Sequence, residues 1–480
     1  MSLLEHEEAQ VLLEAAVLDA STVRGCRGRL TRFLQRYLPR FYRTEQRKHA
    51  KLVLAGKLSH LERKTSEPIA LRAGVQRKPV QQFVGAGKWD DEAVMAELRR
   101  HVAEEFDDPD ATLVLDGSSF PKKGLESCGV AWQGCGRNGK VDNCQVGVFL
   151  SCVSRDRIGP LGRRLYLPRD WAQDTTRRRK CHVPRGVRFA EKWRLGLNLI
   201  GAAQVPQGWI TADDEFGRVA EFRAALRRRR RQYVLDVPCN TLVRIVSAEA
   251  RAATASDPGR KRRAAKKKVR RGRPRLPPWV RVDEWAAKQS AAAWRRIEVR
   301  AGEKGPLTVE VLDALAQTRG PGQTQERLLV IRTVEATPLT HYCLSNAASS
   351  VPVETIVDHH DDRHRIEEMF ELGNGEVGLD HYEVRSWVGW HHHMTLSLLA
   401  LWFLTRERQQ VGKKTPAITA PQVRMIFSHL LQQPAPTATT IAETISAVLR
   451  RNEASRIYHW HAKTQSFPPR RNTPPPINSG

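Results

Sequence analysis

The chain is short of acid. Its 480 residues carry 52 Asp and Glu against 79 Lys and Arg, a formal net charge of +27. Solubility needs far less charge than this, so the imbalance points to a polyanionic partner, with nucleic acid ahead of a membrane surface. Long apolar runs are missing too. A bilayer span takes roughly 18 apolar residues, and the best candidate, MTLSLLALWFL at 394–404, has the length of a buried helix. The opening MSLLEHEEAQ is acidic where an export signal is basic and then apolar, so the expected compartment is the cytoplasm. The eight cysteines include no CxxC and no zinc-type spacing, which fits reduced, buried thiols rather than a structural metal or a disulfide framework.

What is present has a clear order. Residues 1–105 show apolar positions at helical spacing, as in VLLEAAVL and LTRFLQRYL, and few strand signals. Within them SEPIALRAGVQRKPVQQFVG (66–85) reads as two short helices about a turn at Gly74, with Arg77, Lys78 and Gln81 exposed. That is either a helix-turn-helix or a plain helical hairpin. From about 110 the pattern turns to strands: TLVLD (112–116), NCQVGVFLSCVS (143–154) and RRLYLP (163–168), close enough in sequence to pair antiparallel. A short strand in GWITADDEFG, the helical EFRAALRRRRR and the strand QYVLDV follow, an α/β alternation. Strand-like RLLVIRTV (327–334) and HYCLSNA (341–347) then lead into a helix at RHRIEEMFELGNGEVGLD (363–380).

Between these parts, 241–326 reads as an interruption. It holds RKRRAAKKKVRRGRPR (260–275), in which 11 of 16 residues are Lys or Arg, too dense a charge to pack in a core. The expectation there is an unstructured loop that holds nucleic acid by counterion release. Within it Arg271-Gly272-Arg273-Pro274 resembles the AT-hook core, in which Arg-Gly-Arg lies in a narrow minor groove. The tail QSFPPRRNTPPPINSG is expected to be unfolded.

Against so basic a background the placement of acids is informative. Asp116 ends TLVLD and Asp213 ends WITAD, and a carboxylate at the end of a core strand is held rigidly where ligands approach an α/β sheet. Glu367 lies on the 363–380 helix, on one stripe with Arg363, Glu371 and Asn374, beside an apolar stripe of Ile366, Met369 and Phe370. Three carboxylates suit a pair of Mg²⁺ ions working on a phosphodiester. The plainer readings are an Arg363–Glu367 ion pair on a solvated helix face, and an Asp213-Asp214 pair that caps the following helix. The run His391-His392-His393 is a poor metal site, because consecutive helical residues point in different directions. His359-His360-Asp361-Asp362 reads as the border of an active site. Trp387 and Trp390 read as core, with DNA-stacking aromatics as the alternative.

The segments LDGSSFPKKGLESCGVAWQGCGRNGKVDNCQVGVFLS, RRLYLPRDW, WITADDEFGR, YVLDVPCNT and RHRIEEMFELGNGEVGLDHYEVRSWVGWHHHMTLSLLALWFL closely resemble the DDE transposases of bacterial insertion sequences. The branch is the one with a Tyr-Arg-Glu-Lys signature (insertion-sequence family four superfamily, family seven-hundred-and-one type). The resemblance runs in order through most of residues 50–410. It implies an α/β fold with an RNase H-like core interrupted by an insertion before the last acid, and metal-dependent DNA cleavage and strand transfer with Mg²⁺ or Mn²⁺, two ions in all. Residue by residue, the catalytic and metal-holding acids match Asp116, Asp213 (three before Phe216-Gly217) and Glu367. Arg363, four before the Glu, matches the Arg that holds a DNA phosphate. The signature Tyr falls on His360, which can still donate to a phosphate, and the Lys falls on Asn374, which cannot supply the charge. Relatives use an aromatic of the insertion to hold a flipped base, for which Trp279, Trp285 and Trp294 are available.

The expectation is therefore a cut-and-paste transposase that binds the inverted-repeat ends of its element as a homodimer on double-stranded DNA, with no membrane role. Its divisions are a helical, end-binding domain at 1–105, the core at 106–240 and 327–410, the basic insertion at 241–326, and a helical segment with a Pro-rich tail at 411–480. Two rivals stand beside it: a DNA-binding descendant without catalysis, for which Asn374 is the main support, and a nuclease that cuts without joining.

Overall fold

A computed structural model describes the chain except for residues 1–2, 107, 155–156, 206–207, 247–276, 303–304, 322–323, 336, 433–436 and 472–480. The chain divides into two units, one of residues 1–206, 301–306 and 364–480, the other of residues 207–300 and 307–363.

The first unit opens with helices α1 (Glu7–Glu14), α2 (Ala20–Tyr37), α3 (Thr44–Lys57), α4 (Ser66–Arg72), α5 (Arg77–Gly85) and α6 (Asp91–Glu105). Local chemistry sets their starts: the Asp90 carboxylate accepts from the Glu92 and Ala93 backbone N–H groups, both at 3.0 Å, and so caps α6. Four strands follow, β1 (Thr112–Pro121), β2 (Ala131–Cys135), β3 (Lys140–Ser154) and β4 (Arg157–Leu165). Strand β3 lies antiparallel against β1, β2 and β4. Strand β1 runs past the expected TLVLD, because Gly117–Pro121 stay in register with β3, Gly117 opposite Val148 and Pro121 opposite Cys144. Short helices α7 (Arg169–Gln173) and α8 (Thr175–Lys180) and the longer α9 (Lys192–Ala202) complete this stretch.

The second unit carries β5 (Trp209–Ala212), α10 (Asp214–Gly217), α11 (Ala220–Arg228), β6 (Gln232–Asp236), β7 (Leu242–Ile245), β8 (Val280–Arg281), α12 (Val282–Ala287), β9 (Arg295–Gly302), β10 (Gly305–Thr318), β11 (Gln325–Thr333), β12 (Thr340–Ser345) and α13 (Val353–Asp361). Its strands lie in the order β5-β6-β12-β11-β10-β7-β8, with β9 also on β10. Strands β5 and β6 are parallel, as a strand-helix-strand crossover requires, and β6-β12, β12-β11, β11-β10, β10-β7 and β7-β8 are antiparallel. One face of this sheet buries Trp209, Val234, Leu329, Cys343, Ile356 and Val357, and another apolar cluster gathers Val237, Val243, Leu328 and Leu344.

Within 241–326, the stretch expected to be an insertion, the described residues form strands. The described residues there supply β7 to β10, which hydrogen-bond into the same sheet as β11 and β12. The reason lies in segments such as LTVEVLDALAQT, whose alternation makes a strand and not a detached loop. The basic run 260–275, with Arg271 and Arg273, lies outside the described residues.

The first unit ends with α14 (His364–Val377), α15 (Trp387–Gly412), α16 (Ala420–Leu430) and α17 (Ala438–Thr464). Every residue of the apolar run 394–404 is buried, since α15 threads between α2, α3, α5, α6, α16 and β4. Among the described residues no helix is long and apolar enough to cross a membrane.

Candidate active site

Strand β1 presents Asp116 half-buried, its Oδ1 2.6 Å from the Gly117 N–H. Directly opposite it on β3 is Phe149, and residues so paired project to the same face of a sheet. Phe370 of α14 packs edge-on against that Phe149 ring, with centroids 5.3 Å apart. Glu367 stands three residues before Phe370, on the same side of the helix. Helix α14 thus packs on the strand that carries Asp116, and the packing that holds it is the apolar stripe Ile366, Met369 and Phe370. Glu367 is exposed, with Oε2 3.2 Å from His364 Nδ1.

Asp213 belongs to the second unit, between β5 and α10. Its Oδ1 accepts from the Glu215 and Phe216 N–H groups at 3.1 and 3.4 Å, so the capping role anticipated for this acid pair is real. The other oxygen takes no part in the cap. Burial first, then the charges of Glu215 and Asp214, push the Asp213 carboxyl up to about 6, while Arg363 pulls it back. Gly217 closes the turn against β6: a Cβ there would stand 1.9 Å from the Asp236 carbonyl oxygen. Only glycine allows so close an approach.

Arg363 departs from expectation. It does not stand on one helix with Glu367; it lies in the turn between α13 and α14, its N–H donating to the His360 carbonyl at 3.0 Å. Its Nε lies 3.1 Å from Asp236 Oδ2. His360, buried on α13, sets Nε2 2.8 Å from Asp236 Oδ1. Asp236 was not singled out from the sequence, although it too ends a strand. Burial by itself would raise its carboxyl, but His360, His341 and Arg363 together hold it well below the usual carboxylate range. Asn374 lies inside α14, which runs on through Gly373 and Gly375 and stops before Gly378 at φ +64°. It is therefore not the cap that the flanking glycines suggest; its Oδ1 is buried with no hydrogen-bond partner among the described residues.

All three histidines 391–393 are buried and face backbone carbonyls: His391 Nδ1 that of Trp387 at 2.9 Å, His392 those of Val84 and Trp89 at 3.2 and 3.1 Å, and His393 those of Gly378 and Leu379 at 3.1 and 3.0 Å. Trp387 and Trp390 are core residues. Trp279 lies beneath two guanidinium groups, Arg244 at 4.5 Å and Arg319 at 4.9 Å, and Trp294 beneath Arg332 at 3.8 Å. Trp285 packs in the apolar core. On α5 Arg77, Lys78 and Gln81 are exposed, Arg77 paired with Glu67 of α4 at 2.9 Å. All eight cysteines are free and only Cys239 is exposed.

The donor chemistry fits a hard divalent cation. Asp116, Asp213 and Glu367 offer carboxylate oxygens alone, and Asp213 carries a raised carboxyl among like charges, which a bound cation would relieve. Among the described residues the one group of three or more His, Cys, Asp or Glu donors with ligand atoms within 4.8 Å of one another is Asp236, Cys343 and His360. No curated protein matches the chain. The sequence model of the DDE superfamily endonucleases matches residues 36–306, a span that includes Asp116 and Asp213 and ends before Glu367. With just over half of its length so matched, the chain belongs to the DDE superfamily endonucleases.

Proposed function

We propose that this endonuclease is the cut-and-paste transposase of an insertion sequence, and that Asp116, Asp213 and Glu367 are its catalytic acids. The observation that carries this reading is the seating of α14 on the strand of Asp116 through Phe370 and Phe149, which gives Glu367 a defined place relative to one of the two acids inside the family match. In the fold terms of the family, the core is RNase H-like, formed by 106–240 and 327–410, with 241–326 inserted, 1–105 binding element ends and 411–480 as the closing segment.

The three carboxylates would hold Mg²⁺ or Mn²⁺, two ions in all, which when bound neutralise charge on a phosphodiester and lower the pKa of water. The chain's own residues bind and orient. Arg363 fixes a phosphate beside the scissile bond and His360 supports it from α13. Asn374 faces the same backbone with a neutral amide, and Arg271 and Arg273 lie in the minor groove. Hydrolysis frees a 3′-hydroxyl that attacks target DNA in line, both steps being phosphoryl transfers governed by position and charge. The excess of 27 positive charges supplies the general attraction to duplex DNA. Two copies hold the two inverted-repeat ends together, in the bacterial cytoplasm and on the nucleoid.

The test is an assay with labelled element ends, a target plasmid and Mn²⁺. Cutting followed by joining is expected. Cutting alone would leave a nuclease, and binding alone a DNA-binding descendant without catalysis.

A further inference from the structure

The end of β6 carries a buried carboxylate that the reading above does not use. Asp236 is in register with Cys343 of β12, and His341 lies two residues earlier on the same face of that strand. Helix α13 closes over this face, Trp209 stacking on His359 at 4.6 Å, and so lowers His360 onto Asp236. Both carboxylate oxygens are engaged. Oδ1 is 2.8 Å from His360 Nε2 and 3.2 Å from Cys343 Sγ; Oδ2 is 3.3 Å from His341 Nδ1 and 3.1 Å from Arg363 Nε, the last an ion pair without hydrogen-bond geometry.

Two chemistries fit such a cluster. Asp236, His360 and Cys343 have ligand atoms within 4.8 Å of one another, which would suit a zinc-like ion. The Arg363 guanidinium on the same carboxylate argues against it, because a second cation would sit beside a permanent positive charge. The cluster reads better as an acid that gathers donors. A buried Arg–Asp pair adds little stability relative to an apolar pair of the same size, and the Arg363 side chain keeps 17% of its surface exposed although its Nε is buried. It is held by Asp236 at the end of β6, and the neighbouring parallel strand β5 ends in Asp213, whose carboxyl the Arg363 charge lowers.

Resting on the proposed function, we propose that Asp236 is a positioning residue for strand cleavage: through Oδ2 it fixes the Arg363 guanidinium, and through Oδ1 it fixes His360 and the end of α13, so that the phosphate-binding donor is presented beside Asp213 in one orientation. Two backbone bonds tie the turn 362–363 to α13, Asp362 N–H to the Asp358 carbonyl at 3.2 Å and Arg363 N–H to the His360 carbonyl at 3.0 Å, and these set its backbone but not the direction of the Arg363 side chain. Without the carboxylate, Arg363 keeps its charge and loses its place.

The test uses the full chain and a labelled duplex element end with Mn²⁺. Absence of cleavage by the wild-type protein would refute the proposed function itself. If the wild type cleaves, Asp236→Asn should lower the rate at saturating DNA about 10- to 100-fold, as about 1 Å of misplacement does, with DNA affinity within about threefold because the basic surface is intact. The double variant Asp236→Asn, Arg363→Ala should cleave no more slowly than Arg363→Ala alone. Independent, multiplying losses, or an Asp236→Asn rate within twofold of wild type, would overturn the proposal. Should Asp236→Asn fold poorly, Arg363→Lys decides: it keeps the charge but not the planar guanidinium whose Nε stands beside the carboxylate, so it should cleave as poorly as Arg363→Ala while binding DNA, and a wild-type rate would sink the idea. A cobalt–thiolate absorption band on adding Co²⁺, lost in Cys343→Ser, would show a metal site and also overturn it.

Discussion

Gly217→Ala is the sharpest perturbation that this structure offers. A Cβ at 217 would stand 1.9 Å from the Asp236 carbonyl oxygen, 3.0 Å from its carbonyl carbon and 3.1 Å from Leu235 Cβ. A separation under 3.0 Å does not occur at real Cβ atoms, so something must move by about 1 Å. The obstacle is backbone, and β6 cannot yield easily because it is bonded to β5 on one side and β12 on the other. The movement therefore falls on α10. That opens the bond from the Gly217 N–H to the Asp213 carbonyl, now 2.9 Å, and with it the Asp213 cap on Glu215 and Phe216. Overpacking costs about 1–3 kcal/mol and a lost cap about 1 kcal/mol, so the sum is about 2–4 kcal/mol. For a unit of this size that is a fall of about 4–16 °C in its thermal midpoint. Cleavage of element ends should drop by about 100-fold or more, since the acid that moves is Asp213. Gly375→Ala is the control: its Cβ would meet nothing within 4 Å, and in the interior of α14 alanine should be stabilising by about 0.5–1 kcal/mol. If calorimetry and cleavage both find Gly217→Ala indistinguishable from wild type, the close approach of the Asp213 turn to β6 is wrong.

Asp116→Asn, Asp213→Asn and Glu367→Gln should each abolish Mn²⁺-dependent cleavage while duplex binding in a gel-shift assay survives; residual wild-type cutting in any one removes that residue from the set. Deleting 260–275 should weaken binding to any duplex and flatten its salt dependence by about 0.9 in slope for each phosphate that the run neutralises, and an unchanged slope would mean that the run does not touch DNA. The Asp213 carboxyl lies near 6, so protons compete for it as pH falls: Mn²⁺ affinity, followed by calorimetry, should weaken below about pH 6, by up to about tenfold per unit. Asp236 has the opposite sign. Held well below its ordinary value, it contributes stability above that value which is lost as pH falls through the depressed one, so the acid limb of the wild-type stability curve should be steeper than that of Asp236→Asn. Asn374→Lys should strengthen end binding or cleavage several-fold, since a charged donor is about twice as strong as a neutral one; level binding and cleavage, or a fall in both together with thermal stability, would make Asn374 a purely structural residue.

What could be read from the sequence was local. Strands such as NCQVGVFLSCVS and RLLVIRTV declare themselves by apolar runs between turns, and the helix that carries Glu367 by its apolar stripe, because period and burial follow from neighbours a few residues away. The run His391-His392-His393 was also readable, since helix geometry sends consecutive side chains to different partners, here different backbone carbonyls. Contacts across the fold were not. The Arg363–Glu367 spacing suggests an i,i+4 pair, yet Arg363 stands in the turn before the helix, its Nε 3.1 Å from Asp236 Oδ2, 127 positions earlier in the chain. Nor could spacing show where the expected insertion at 241–326 packs: its described strands join the sheet of β11 and β12.

Asp236 shows how far the rule for strand ends reaches. Asp116, Asp213 and Asp236 all terminate or interrupt apolar strand sequences, and the rule that singled out the first two applies equally to the third. What separates them is the company each keeps. Asp213 has two acidic neighbours and a raised carboxyl, a charge excess that invites a cation. Asp236 has two histidines and an arginine, and its carboxyl is lowered. In so basic a chain an acid placed among acids is a place for a metal, whereas an acid placed among bases is already neutralised, and what it can do is hold those bases still. The two carboxylates lie at the ends of adjacent parallel strands, and Arg363 acts on both. Their different surroundings are what let one arginine be anchored by the second while it works beside the first.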